Sequence, residues 1–265
     1  TIWDSSDDAD IPYTALSGSP DTLDLAVDTK LLVWSSKEFA PAGDVTAPGG
    51  GAGASYDGSF EALSNASFTT SPGEEHIFGG SFEFGSGANF DGSTATITLS
   101  TVDSARVVDT NEAAFHNLVF DGSGSWVMDD TSVTIGNNLF IEDGAVTFTT
   151  GTTSIGGSLT NSGSFTANNG LLSFTATSGA KSVEFGGSDA AAVEFIGDAA
   201  WTFLDTIATT TDSFLVATGT VTLPSGTLAV GADFVVLDGL TANGGELKLT
   251  QDSATTTLTL SNNDL

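Results

Sequence analysis

A 75-residue internal repeat constrains this chain more than any other feature of its sequence. Residues Trp126 to Thr175 align with Trp201 to Thr250 without a gap. Trp126 meets Trp201, Asp130 meets Asp205, Gly144-Ala-Val146-Thr147 meets Gly219-Thr-Val221-Thr222, and Thr166-Ala-Asn168 meets Thr241-Ala-Asn243. Substituted positions keep their character, as in Leu139/Phe214, Ile141/Val216, Ile155/Val230, Leu159/Phe234 and Phe174/Leu249. Self-similarity at a fixed period is the mark of a repeat architecture, in which each unit buries its apolar side chains only against its neighbours.

A shorter rhythm runs inside the repeat. Ile135-Gly-Asn-Asn-Leu139 recurs as Ile155-Gly-Gly-Ser-Leu159, and Val146-Thr-Phe148 is echoed by Leu172-Ser-Phe174 and Val193-Glu-Phe195. The spacing is 19–20 residues, so 75 residues read as about four turns of a solenoid. Each short apolar run has the alternation of a strand, and the Gly, Asn, Asp and Ser between runs are turn formers. The fold expected is all-β, a parallel β-helix (β-solenoid) of about a dozen coils, with a β-sandwich as the alternative. Glu61 to Phe68 and Asn111 to Leu118 are the marginal helical stretches.

The repeat also sets the expected boundaries. Copies fall at 115–189 and 190–264, and an irregular copy, with Phe90/Phe165, Ile97/Leu172 and Arg106/Lys181 in register, ends at 114. The solenoid is therefore placed at 67–265. Residues 1–66 read as an acidic extended leader followed by capping or joining strands, with alternation over Leu23 to Val33. A first residue other than Met suggests an upstream or signal segment, and an end on a repeat boundary suggests whole units or a subunit that stacks on its neighbour.

Composition excludes several partners. With 34 acidic against five basic residues the net charge is -29. Lys30, Lys37, Arg106, Lys181 and Lys248 are too few and scattered to neutralise phosphates, so nucleic acid is excluded and acidic lipid surfaces are disfavoured. No cysteine is present for disulfides or thiolate metal sites, and no apolar run is long enough to span a membrane as a helix. Hydrophobic residues make up 39% of the chain, with 18 Phe, which is enough for a packed core.

Candidate chemistry rests on carboxylates. Calcium takes hard oxygen ligands, and the cluster Asp4, Asp7, Asp8 and Asp10 is a candidate for it, as are Asp129-Asp130 with Asp205, Glu142-Asp143 and Glu74-Glu75. None has the spacing of a known calcium loop, and the alternative is a solvated acidic surface. Gly49, Gly51 and Ala54 fit a loose dinucleotide-loop pattern, but a proline precedes them and no amphipathic helix follows. His76 and His116 stand alone and read as surface or turn residues rather than ligands or bases. Arg106 and Lys181 share a repeat position; they read as charges on corresponding turns four coils apart, against an alternative role as bases of a sugar-acid lyase. Trp126 and Trp201 read as core packing rather than sugar platforms.

Phe115-His-Asn-Leu-Val-Phe-Asp-Gly-Ser-Gly-Ser-Trp126, with Ile135-Gly-Asn-Asn-Leu, Gly144-Ala-Val-Thr-Phe and Gly156-Gly-Ser-Leu-Thr-Asn-Ser-Gly-Ser-Phe, resembles repeat-rich bacterial cell-surface β-helix proteins akin to autotransporter passengers and filamentous-haemagglutinin-like adhesins. The resemblance covers residues 67–265 and implies a secreted, surface-exposed structural or adhesive role; no catalytic residue carries over. The expected function is non-enzymatic: a self-assembling filament subunit joined head to tail, or an adhesin or stalk rod, with glycans or other cells as further partners. A polysaccharide-active β-helix lyase or hydrolase is the alternative, and a viral fibre segment a third.

Overall fold

In the computed structural model the described residues are 2–4 (backbone), 23–25, 30–41, 43–50, 57–251 and 257–260. Among them are 33 short strands and no helix. The strands pair in parallel, each with the strand one coil before and one coil after it, as in Leu118 with Leu139 and Leu139 with Leu159. A meander sandwich requires antiparallel neighbours, so the sandwich alternative is excluded and the chain is a parallel β-solenoid.

The solenoid has three faces. One is a single 11-stranded sheet from Leu23–Asp24 to Gly239–Thr241. The second is an eight-stranded sheet ending at Ser164–Thr166, continued by a four-stranded sheet that begins at Asp189–Ala190. The third begins with Glu38–Phe39, Ser67–Thr69 and Asn89–Asp91, and resumes as seven strands from Ser132–Ile135 to Leu258–Leu260. Phe115 spans the break: its ring lies 5.4 Å from that of Phe90, and its backbone bridges to Ile135. Eleven coils at a strand spacing of roughly 4.8 Å make a rod about 50 Å long.

Alternation explains why the strands close on one core. Strand after strand shows a buried residue flanked by partly exposed ones, as in Ser132–Ile135 and Thr152–Ile155. Because successive coils are in register, the inward residues form continuous rows. On the third face the row runs Ile135, Ile155, Phe174, Phe195, Val216, Val236. Phe174 and Phe195 stack at 4.8 Å with an interplanar angle of 11°, and Phe214 and Phe234 at 5.4 Å and 20°. Such pairs add about 0.5–1.5 kcal/mol each beyond the area they bury. The same stacking holds from Lys30 onward: Leu31 pairs with Phe60 and Phe60 with Phe82, so the strands between residues 30 and 66 belong to the same stacks as the coils after 67.

The 75-residue repeat is not a whole number of coils. Strand Ser125–Met128 maps onto Ala200–Phe203, Ser132–Ile135 onto Ile207–Thr210, and Leu139–Ile141 onto Phe214–Val216, with both ends of each strand displaced by 75 residues. Yet Ser125–Met128 lies in the eight-stranded sheet and Ala200–Phe203 in the 11-stranded one. Each of these strands recurs eleven strands later, which is three full coils and two of the next coil's three strands. The reading of four turns is therefore corrected: one repeat advances the chain three and two-thirds coils and moves every strand to a different face. The corners obey the same rule. Gly144 and its repeat partner Gly219 both have positive φ, 73° and 78°, a conformation that glycine adopts without steric cost. A side chain there would press on the coil below, at Gly122 O (2.2 Å) and Gly197 O (2.5 Å) respectively.

Candidate functional site

Of the first calcium candidates, Asp4 ends the strand Ile2–Asp4, and Asp7, Asp8 and Asp10 lie outside the described residues. Among the described residues no group of three or more His, Asp or Glu is placed to hold a metal ion. The structure instead gives several of the remaining acids a role in joining coils.

Asp130 and Asp205 are the clearest case. Asp130 is buried beneath the preceding turn, where Oδ2 accepts the Thr110 N–H at 2.9 Å and Oδ1 the Glu112 N–H at 2.7 Å. Asp205, its repeat partner, does the same one repeat later: Oδ2 accepts the Phe185 N–H at 2.7 Å and Oδ1 the Gly186 N–H at 3.0 Å. A turn leaves backbone donors without strand partners, and a buried donor must be satisfied; the carboxylate of the next coil supplies two acceptors. Burial pushes the Asp130 carboxyl above the usual carboxylate range, against the pull of those two N–H donors. Asp205→Ala is expected to cost about 1 kcal/mol, because the part-buried Phe185 N–H loses its acceptor while water reaches the exposed Gly186 N–H. Asp205→Asn, which keeps one acceptor oxygen, loses less; thermal unfolding followed by circular dichroism measures both.

Asp129, in contrast, is exposed and lines an open groove with Asp109, Asn111, Glu112, Asp130 and Thr131. Glu142 and Asp143 are exposed at a corner, where Asp143 Oδ1 accepts the Gly144 N–H at 2.7 Å. Glu74 Oε2 accepts the Ser71 N–H at 2.5 Å, and Glu75 faces solvent.

A buried ion cluster lies where sequence reasoning saw no site. Asp57 is fully buried; its Oδ1 accepts the Gly50 N–H at 2.8 Å, and its Oδ2 accepts from Arg106 Nη2 at 2.7 Å and Thr101 Oγ1 at 3.2 Å. Arg106 Nη2 also reaches Asp103 at 2.6 Å. Burial and the adjacent Asp103 raise the Asp57 carboxyl above its ordinary range, while Arg106 and the Gly50 N–H pull it down. The cluster ties Asp57 to the corner two coils later that holds Thr101 and Arg106.

Arg106 and Lys181 are not simply charges on matching turns. Arg106 pairs in register with Trp126, and Lys181 with Trp201, so each basic residue sits one coil before an indole. They fall on different faces, because the repeat turns the pattern by two-thirds of a coil. Both indoles are fully buried, which places these tryptophans in the core.

The histidines differ from each other. His116 is half-buried and lines a shallow groove with Asn89, Asp91 and Ser93. His76 overturns the expectation of a surface or turn residue. It is wholly buried, between Val45 and Ile97 in an inward row, with the Phe68 ring edge-on at 5.4 Å. The strand Glu75–Phe78 points His76 and Phe78 inward and Glu75 and Ile77 outward.

No helix among the described residues is long and apolar enough to cross a membrane. No family model, no curated protein and no solved structure matches this chain.

Proposed function

We propose that the chain is a non-enzymatic structural rod of the cell surface or extracellular space, acting as a stalk or adhesin segment or as a subunit of a filament. The observation that supports this is the unbroken stacking of coils, carried by the single 11-stranded sheet. In-register parallel strands run through eleven coils and inward apolar rows extend from Leu31 to Val236, an arrangement that resists bending and gives a fixed length. The resemblance to surface β-helix proteins points the same way. A net charge of -29 sets the mode of association: rods repel side by side, and contacts that lengthen the rod put the least charge together.

Negative-stain electron microscopy with and without calcium is the test. The expected images are rods about 50 Å long, single or joined end to end into fibres one rod wide. Compact particles without an elongated axis, or cleavage of a polysaccharide in a screen of acidic and neutral glycans, would overturn the reading; cleavage would favour the enzyme.

A further inference from the structure

The strand Val45–Ala47 is tied to the next coil through a side chain as well as through backbone. The Val45 N–H donates to His76 Nδ1 at 3.1 Å in the core. A ring nitrogen that accepts carries no hydrogen, so this imidazole is neutral, with its proton on Nε2. Nε2 lies 3.3 Å from Glu74 Oε2, but the two are not aligned for a hydrogen bond, and Glu74 Oε1 has no partner among the described residues either.

We infer that His76 is an acid-sensitive latch for the N-terminal coils: a proton taken up at Nδ1 expels the Val45 N–H, and the segment from Lys30 to Ala47 loosens from the rod while coils beyond Phe115 stay closed. The charged groups facing the ring are few. Asp44 stands at the head of the strand below, its Oδ1 held by the Glu75 N–H at 2.8 Å. Glu74 and Glu75 lie on the ring's own segment. The strands Thr96–Leu99 above and Ser67–Thr69 beside it contribute no titratable group.

Burial lowers the imidazole from 6.5 to about 4, against the pull of Asp44. The sign follows. The folded state binds this proton more weakly than the unfolded state, so the latch is at full strength above pH 6.5 and weakens as pH falls toward 4.

Hydrogen exchange read by mass spectrometry between pH 7 and 4, corrected for intrinsic rates, tests this. Protection of peptides covering residues 30–47 is expected to fall on the order of 100-fold relative to coils 115–236. His76→Asn places an amide oxygen near the Nδ1 position, keeps an acceptor for Val45 and does not titrate; its N-terminal coils are expected to stay protected. With two histidines in the chain, the His76 ring resonance is also readily followed, and it is expected to titrate in step with the exchange. The latch is refuted if residues 30–47 keep their protection at pH 4, or if His76→Asn loses it equally. Should that variant not fold at pH 7, loss of protection while the His76 ring is still neutral refutes it in the unaltered protein.

Discussion

Replacing Arg106 with methionine is expected to destabilise the protein by about 3–5 kcal/mol at pH 7, because it leaves the Asp57 carboxylate buried without its cation. The same change at Lys181, the repeat partner, is expected to cost less than about 1 kcal/mol. Lys181 has no ion-pair partner among the described residues, so its loss strands no buried charge. Urea unfolding of the two variants makes the comparison with the sequence position held constant. The pH dependence separates charge from packing. Asp57 is already raised by burial, and without Arg106 it rises further. A carboxyl whose folded value lies above its unfolded value favours the fold when protonated and loses that advantage as pH rises through the folded value. The deficit of Arg106→Met is therefore expected to shrink between pH 7 and pH 4.5. A deficit that does not change with pH would mean that the arginine acts only through the packing of its stem.

Truncating either buried tryptophan is the second large effect. Trp126→Ala and Trp201→Ala are each expected to cost about 3–5 kcal/mol, since a fully buried indole is removed from a row that coils above and below hold in place. Phenylalanine is expected to be tolerated far better. Neither indole Nε1–H has a hydrogen-bond partner among the described residues, so Trp→Phe removes an unsatisfied donor along with part of the ring, and the two contributions oppose each other. Chemical denaturation of the four variants checks the order. A loss of more than about 2 kcal/mol for Phe at one position would show that the indole nitrogen has a partner in solution, such as a bound water.

Period and class were legible in the sequence because both depend on inward and outward alternation, which short strands in register must display. The phase was not. A shift of two strands preserves alternation, and the three faces use the same apolar residue types, so Trp126 matches Trp201 whether or not they share a face. Coils of 19–20 residues make four turns nearly as long as the repeat, and residue spacing alone cannot distinguish four from three and two-thirds. Asp130 and Asp205 were visible as a matched pair, but their purpose depends on which turn lies one coil below. His76 was hidden for a different reason. Beside it, Ile77 and Phe78 are adjacent apolar residues, so alternation does not say which faces inward; the structure turns Ile77 out and His76 in. Asp57 had no signal at all, since its partner Arg106 is 49 residues away in sequence.

The two-thirds rotation of the repeat bears on how such a rod grows and what it displays. Duplication of a 75-residue unit cuts and rejoins the chain at corners that are equivalent in shape yet lie on different sides, so a new unit needs no alignment with a full coil. Side chains that project from one side of the first unit reappear one side over in the next, and return to the original side only after three units. A rod lengthened in this way carries any surface feature along a spiral track, and is able to present the same group to neighbours in three directions.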